Sequence, residues 1–95
     1  MLNELSWIIE DRKAHPVEGS YTNRLLEAGE DEILKKVGEE AVEVILAAKA
    51  QGNQRLVEEI ADLLYHSLVL LAARGLSMAD IEEELIRRHR PEARK

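Results

Sequence analysis

The chain contains no cysteine and no phenylalanine, and only one tryptophan, two tyrosines and two prolines. Without cysteine there is no disulfide framework, no thiolate nucleophile and no cysteine-ligated zinc, which fits an intracellular setting. Aromatics make up 3% of the residues, yet 45% are hydrophobic, so any core must be built from Leu, Ile, Val and Ala. Cores of that composition belong to helix bundles. No apolar run approaches the roughly 20 residues that span a bilayer, and no membrane partner is expected. The N-terminal apolar pattern is broken by Glu4, Glu10 and Asp11, unlike a signal peptide, so a cytoplasmic location is expected. Positive charge is also in deficit: the formal net charge is −6. Such a surface repels phosphate backbones, and no nucleic-acid partner is expected.

At 95 residues the whole chain, 1–95, reads as one domain. Its apolar spacing is helical throughout. Leu2, Leu5, Ile8 and Ile9 mark one face of a first helix from Leu2 to Ala14, stopped by His15-Pro16. Val17 to Gly19 is loop, and Thr22 is placed as the cap of a short helix ending near Gly29. Glu30 to Ala50 is a long helix with Asp31 and Glu32 in its first turn. Gly38, in its interior, costs about 1 kcal/mol relative to Ala, a cost that a close backbone approach would explain. Gln51-Gly52-Asn53 is a turn, and a second long helix runs from there to Arg74-Gly75. Its middle, Leu63 to Leu71, is apolar on most faces, so one side is expected against its own chain and the other against a partner. A last helix runs from Ser77, its cap, to Arg88, followed by a basic tail at Arg90-Pro91. The expected fold is therefore all-α: a small helical bundle built on a long antiparallel helical hairpin and completed by dimerisation.

Two acidic runs stand inside this apolar pattern. Glu39, Glu40 and Glu43 lie on the first long helix, and Glu59 and Asp62 lie three residues apart on the second. In an antiparallel hairpin, Glu40 with Asp62 and Glu43 with Glu59 are both pairs centred on Gln51, inside the turn signal. Four carboxylates can then meet at one level of the bundle. Alone they would repel; a divalent cation resolves the repulsion, and hard carboxylate oxygens suit Mg²⁺, or Mn²⁺. A metal ion is also how an acidic pocket receives an anionic nucleotide. Taken alone, Glu39-Glu40-x-x-Glu43 reads as an ordinary solvated face; the second acidic pair at matching depth favours the metal.

Glu39-Glu40-Ala41-Val42-Glu43 followed by Glu59-Ile60-Ala61-Asp62 resembles the E-E-x-x-E and E-x-x-D signature of the all-α nucleotide pyrophosphohydrolase superfamily. Ser20-Tyr21-Thr22 with Leu25-Leu26, Lys35 to Glu43, and Asp62-Leu63-Leu64-Tyr65-His66 bring the resemblance closer to its phosphoribosyl-ATP pyrophosphatase family, across nearly the whole chain. That resemblance implies Mg²⁺-dependent hydrolysis of phosphoribosyl-ATP to phosphoribosyl-AMP and pyrophosphate, the second step of histidine biosynthesis, by a homodimer. It gives the metal-ligand role to Glu40, Glu43, Glu59 and Asp62, with Glu39 as a further ligand or water-orienting base. Another nucleoside or deoxynucleoside triphosphate is the alternative substrate. A fused cyclohydrolase with a cysteine-built zinc site, known in some members, is not implied for a chain of this length without cysteine.

Other residues are weighed against plainer roles. Lys35 and Lys36, a turn before the acids, either meet substrate phosphate or pair with Glu39 and Glu40, with Lys36 slightly favoured for phosphate. Ser20, Tyr21 and Thr22 offer hydroxyls to ribose or phosphate, against capping and packing. Tyr65 and His66 are in reach of Asp62, and His66 is read as support for the site rather than as a ligand. Arg87, Arg88 and Arg90 read as solvated tail before phosphate contacts; Trp7 reads as core or interface, and His15 and His89 as incidental. The competing classes are a di-iron bundle, which characteristically pairs Glu with Glu-x-x-His, a motif this sequence lacks, and a non-enzymatic dimerisation module.

Overall fold

A computed structural model describes residues 1–90, which form five helices and no strand: α1 (Leu2–Ala14), α2 (Tyr21–Ala28), α3 (Glu30–Ala50), α4 (Gly52–Ala73) and α5 (Met78–His89). Pro91 and the rest of the basic tail lie outside the described residues. The helix limits agree with those expected from capping and glycine signals to within one or two residues. The first correction concerns the α2 cap. Ser20, not Thr22, holds that position in extended backbone, and its Oγ accepts from the Asn23 N–H at 3.2 Å. Thr22 is one residue too late and spends its hydroxyl on Tyr65 instead.

Two glycines make the sharp connections. Gly29 ends α2 and precedes α3 with φ 99° and ψ 172°, a region open essentially to glycine alone. Gly52, at φ 85°, forms the junction after Gln51 between α3 and α4, which share the most extensive helix–helix packing among the described residues. Gly38 is different. A Cβ built there meets nothing within 4 Å, so among the described residues no other backbone approaches it, contrary to the expectation.

The core gathers at one end, from Ile9 of α1, Leu25 of α2, Ile33 of α3 and Leu68, Val69 and Ala72 of α4, with Leu2, Leu5, Leu26, Tyr65 and Met78 around them. Polar side chains close the joints. Lys13 donates to the Ala72 carbonyl at 2.7 Å, beside the Gly75 N–H that the same carbonyl accepts at 3.0 Å, and Ser6 accepts from the first N–H of α5, Met78, at 3.0 Å. The α5 start is further held by the Asp80 carboxylate, which accepts from the Ser77 N–H at 2.9 Å.

Buried Asn23 ties the α1–α2 loop: its Oδ1 accepts from the Val17 N–H at 2.8 Å and its Nδ2 donates to the Arg12 carbonyl at 2.7 Å. Asn23→Ala leaves both backbone groups without their partner and is expected to cost about 2–4 kcal/mol. Urea unfolding checks this as a lowered midpoint with an unchanged slope.

The two long helices also carry bare apolar side chains. Leu34, Val42, Ile45 and Leu46 on α3 and Val57, Ile60 and Leu64 on α4 are between 40% and 61% exposed. Leu34, Gly38, Val42 and Ile45 follow helical spacing, so they form one stripe. Trp7, at 67% exposed, is not part of this chain's core. The radius of gyration is 15.1 Å, against about 13 Å for a compact 100-residue domain. No helix among the described residues is long and apolar enough to cross a membrane.

Candidate metal centre and its surroundings

The α3–α4 pairing brings Glu40, Glu59 and Asp62 together, with one carboxylate oxygen of each within 4.8 Å of the others. Glu59 is buried, Glu40 half-buried and Asp62 exposed, so the trio grades from the helix interface out to solvent. Glu40 Oε2 is buried without any hydrogen-bond partner. Burial raises the Glu40 pKa above the usual carboxylate range; the neighbouring carboxyls of Glu59 and Asp62 push the same way, while His66 opposes them. An orphaned carboxylate oxygen facing two more acids is a donor set whose repulsion a cation would offset. Three hard oxygen donors suit a divalent ion such as Mg²⁺.

The remaining acids stand apart from the trio. Glu43 is half-buried, and its charge bears on Arg55 of α4. Glu39 points outward, 51% exposed, with Lys36 Nζ 3.7 Å away. Lys36 thus pairs three residues on, with Glu39, and not four residues on, with Glu40. Lys35 is exposed.

Tyr21, Thr22, Tyr65 and His66 come together near Asp62. His66 is buried, with Nδ1 2.8 Å from the Asp62 carbonyl and Nε2 3.0 Å from the Tyr21 hydroxyl. A carbonyl only accepts, so Nδ1 carries the proton and Nε2 is left to accept from Tyr21. Both ring nitrogens are thereby engaged, as a supporting role requires and a ligand role does not. Tyr65 stacks on Tyr21 with centroids 6.2 Å apart, lies edge-on to His66 and bonds Thr22. Arg24 lies over the Tyr21 ring at 5.5 Å. The α2 hydroxyl segment is in this way clamped to α4 one turn beyond Asp62, while Ser20 caps its helix.

Arg87 and Arg88 are tied to Glu84 within α5, and the two guanidinium groups, Arg87's first, hold the Glu84 pKa down at about 2. Arg55 was absent from the sequence-based site, although it donates to buried Glu59. An arginine four residues before an acid on a helix was the available signal.

A family model for phosphoribosyl-ATP pyrophosphohydrolase matches residues 2–89. The phosphoribosyl-ATP pyrophosphatase of Listeria welshimeri is 58% identical over 88 residues, covering 93% of this chain and 84% of that protein. The protein of the same name from Clostridium acetobutylicum is 53% identical over 89 residues, covering 94% and 81%. The histidine biosynthesis bifunctional protein HisIE of Oceanobacillus iheyensis is 52% identical over 89 residues, 94% of this chain but only 41% of that protein. This chain therefore spans less than half of the bifunctional relative. The scaffold is all-helical, with two long helices that gather a carboxylate trio, and the relatives' names place it in the class of all-α hydrolases. Within that class, the chain belongs to the phosphoribosyl-ATP pyrophosphohydrolase family.

Proposed function

We propose that this protein hydrolyses phosphoribosyl-ATP to phosphoribosyl-AMP and pyrophosphate in histidine biosynthesis, using Mg²⁺ held by Glu40, Glu59 and Asp62, with Glu43 able to join them. The reading is carried by the buried, unpartnered Glu40 Oε2 beside two further acids, in a chain of this family. When bound, the ion supplies charge for the phosphate oxygens and acidifies a water; Mn²⁺ fits the same donors.

The protein's own groups do the rest. Glu59 and Glu40 present oxygens from two different helices, so the α3–α4 packing sets their separation. Asp62, at the exposed edge, faces incoming substrate. Glu39 and Glu43 flank Glu40 on α3 and are the groups available to orient or deprotonate a water. Lys36 and Lys35 lie one turn earlier and offer ammonium groups to the phosphates. Ser20, Tyr21, Thr22 and Tyr65 supply hydroxyls and ring faces for the ribose and base, and His66 positions Tyr21 and the Asp62 turn. The α3–α4 unit is read as an antiparallel hairpin, and a second copy covers its bare apolar stripe, giving a homodimer. The protein is assigned to the cytoplasm.

Pyrophosphate release from phosphoribosyl-ATP, ATP, dUTP and dCTP tests this. Release is expected from phosphoribosyl-ATP alone, to stop with a chelator and to return with Mg²⁺. Comparable release from the other triphosphates, or release indifferent to chelation, overturns the substrate or the metal reading respectively.

A further inference from the structure

Glu59 belongs to two arrangements at once. Its side chain is 6% exposed, and a carboxylate that deep carries a desolvation cost unless positive charge meets it. In this structure the charge comes from Arg55, one turn earlier on α4, which donates through Nη2 to Glu59 and through Nη1 to Glu58 at 2.6 Å. The hydrogen bond to Glu58 and the charge of Glu59 keep Arg55 firmly protonated, with Glu43 adding to the same field. Yet Glu59 is also a member of the acidic trio. One carboxylate is therefore shared between a tethered side-chain cation and the centre that a divalent ion is proposed to fill.

We propose that Arg55 is a displaceable counter-ion of the metal centre, neutralising Glu59 while the centre holds no metal and withdrawing toward Glu58 when a divalent ion binds. The inference rests on the metal reading given above. Two features make withdrawal easy. Arg55 is 48% exposed, so its guanidinium is already at the solvent boundary, and Glu58, 44% exposed, keeps it paired on the outer side. The planar fork spans two carboxylates at once, so releasing one leaves the other bond in place. Arg55 acts through Glu59 and is a positioning residue. Its presence spares the metal-free protein an unpaired buried charge, and it lowers metal affinity, because a like charge opposes the incoming ion.

Mn²⁺ titration calorimetry on the metal-free wild type, Arg55→Gln, Arg55→Lys and Glu40→Gln, with melting curves for each, tests this. A nearby charge shifts a carboxylate's affinity for a proton by about tenfold or more, so Arg55→Gln is expected to bind Mn²⁺ about tenfold tighter than wild type. The same variant is expected to melt lower without metal and to gain more from Mn²⁺. Arg55→Lys, which keeps the charge, is expected to return close to wild-type affinity. Wild-type or weaker affinity in a folded Arg55→Gln overturns the counter-ion role and leaves the metal reading standing. If the wild type takes up no more Mn²⁺ than Glu40→Gln does, the metal reading fails and the counter-ion role fails with it. A readout without any substitution is the Arg55 side-chain NMR signal of the wild type, expected to move on adding Mg²⁺; a saturating titration that leaves it in place also overturns the proposal.

Discussion

Glu40→Gln is expected to cut pyrophosphate release by at least about 10²–10³-fold, the scale for deleting one group that stabilises transition-state charge, while leaving the metal-free protein more stable at neutral pH. The two effects have one cause. Glu40 is held beside Glu59 and Asp62 with a buried oxygen that nothing satisfies, so its ionised form is disfavoured and its pKa is raised. A raised folded-state pKa contributes stability that is fully present below the unfolded value, near 4.5, and is lost as pH rises through the folded one. The metal-free protein is therefore expected to lose this contribution between pH 4.5 and the elevated value. The amide cannot ionise, so Glu40→Gln removes that part of the pH dependence. It also removes a donor oxygen, so added Mg²⁺ should raise its melting temperature much less than that of wild type. Melting curves across pH with and without Mg²⁺, beside a pyrophosphate assay, check all three. A variant that keeps its activity and its Mg²⁺-induced stabilisation contradicts the site assignment.

Ile45→Lys is expected to convert the proposed dimer to monomer in sedimentation velocity. Ile45 is 61% exposed in the single chain, on a stripe with Leu34 and Val42, and Val57 and Ile60 of α4 are exposed as well. Burying one such side chain contributes about 1.5–3 kcal/mol, and a two-fold axis applies every substitution twice. Losing both corresponds to about 10²–10⁴-fold in dissociation constant, before the cost of burying two ammonium groups. Gly38 lies on the same stripe, and among the described residues nothing lies within 4 Å of a Cβ placed there, so the space above it is open to a helix of the second copy. Val57→Lys should act in the same direction. A dimer that survives both substitutions moves the interface elsewhere, and the exposed Trp7 on α1 is the next surface to alter.

The helices were legible because their signals are local. Apolar residues at three-and-four spacing, His15-Pro16 as a stop, Gly29 and Gly52 as junctions and Ser77 before the last helix each act over a few residues. The α2 cap was misplaced by two positions because Ser20 and Thr22 are equally good capping types, and only the backbone conformation at Ser20 separates them. Tyr21, Tyr65 and His66 were singled out for their nearness to Asp62 along α4 or within the hydroxyl segment. Their mutual stacking and the bond from Tyr21 to His66 join positions 45 residues apart, which periodicity does not address.

The acids divide in the same way. That Glu40 and Asp62 lie at one depth follows from residue counting about Gln51, because helix rise per residue is constant. That Glu40, Glu59 and Asp62 converge while Glu43 stands toward Arg55 and Glu39 turns to Lys36 depends on how each helix is rotated about its own axis. The sequence by itself determined the five helices, the all-α class and the level at which the acids could meet. Only the tertiary structure decided which three carboxylates share a site, that Arg55 meets buried Glu59, and which apolar stripe is left bare. Helix rotation and crossing angle are set by side chains packing between helices, and no local spacing encodes them.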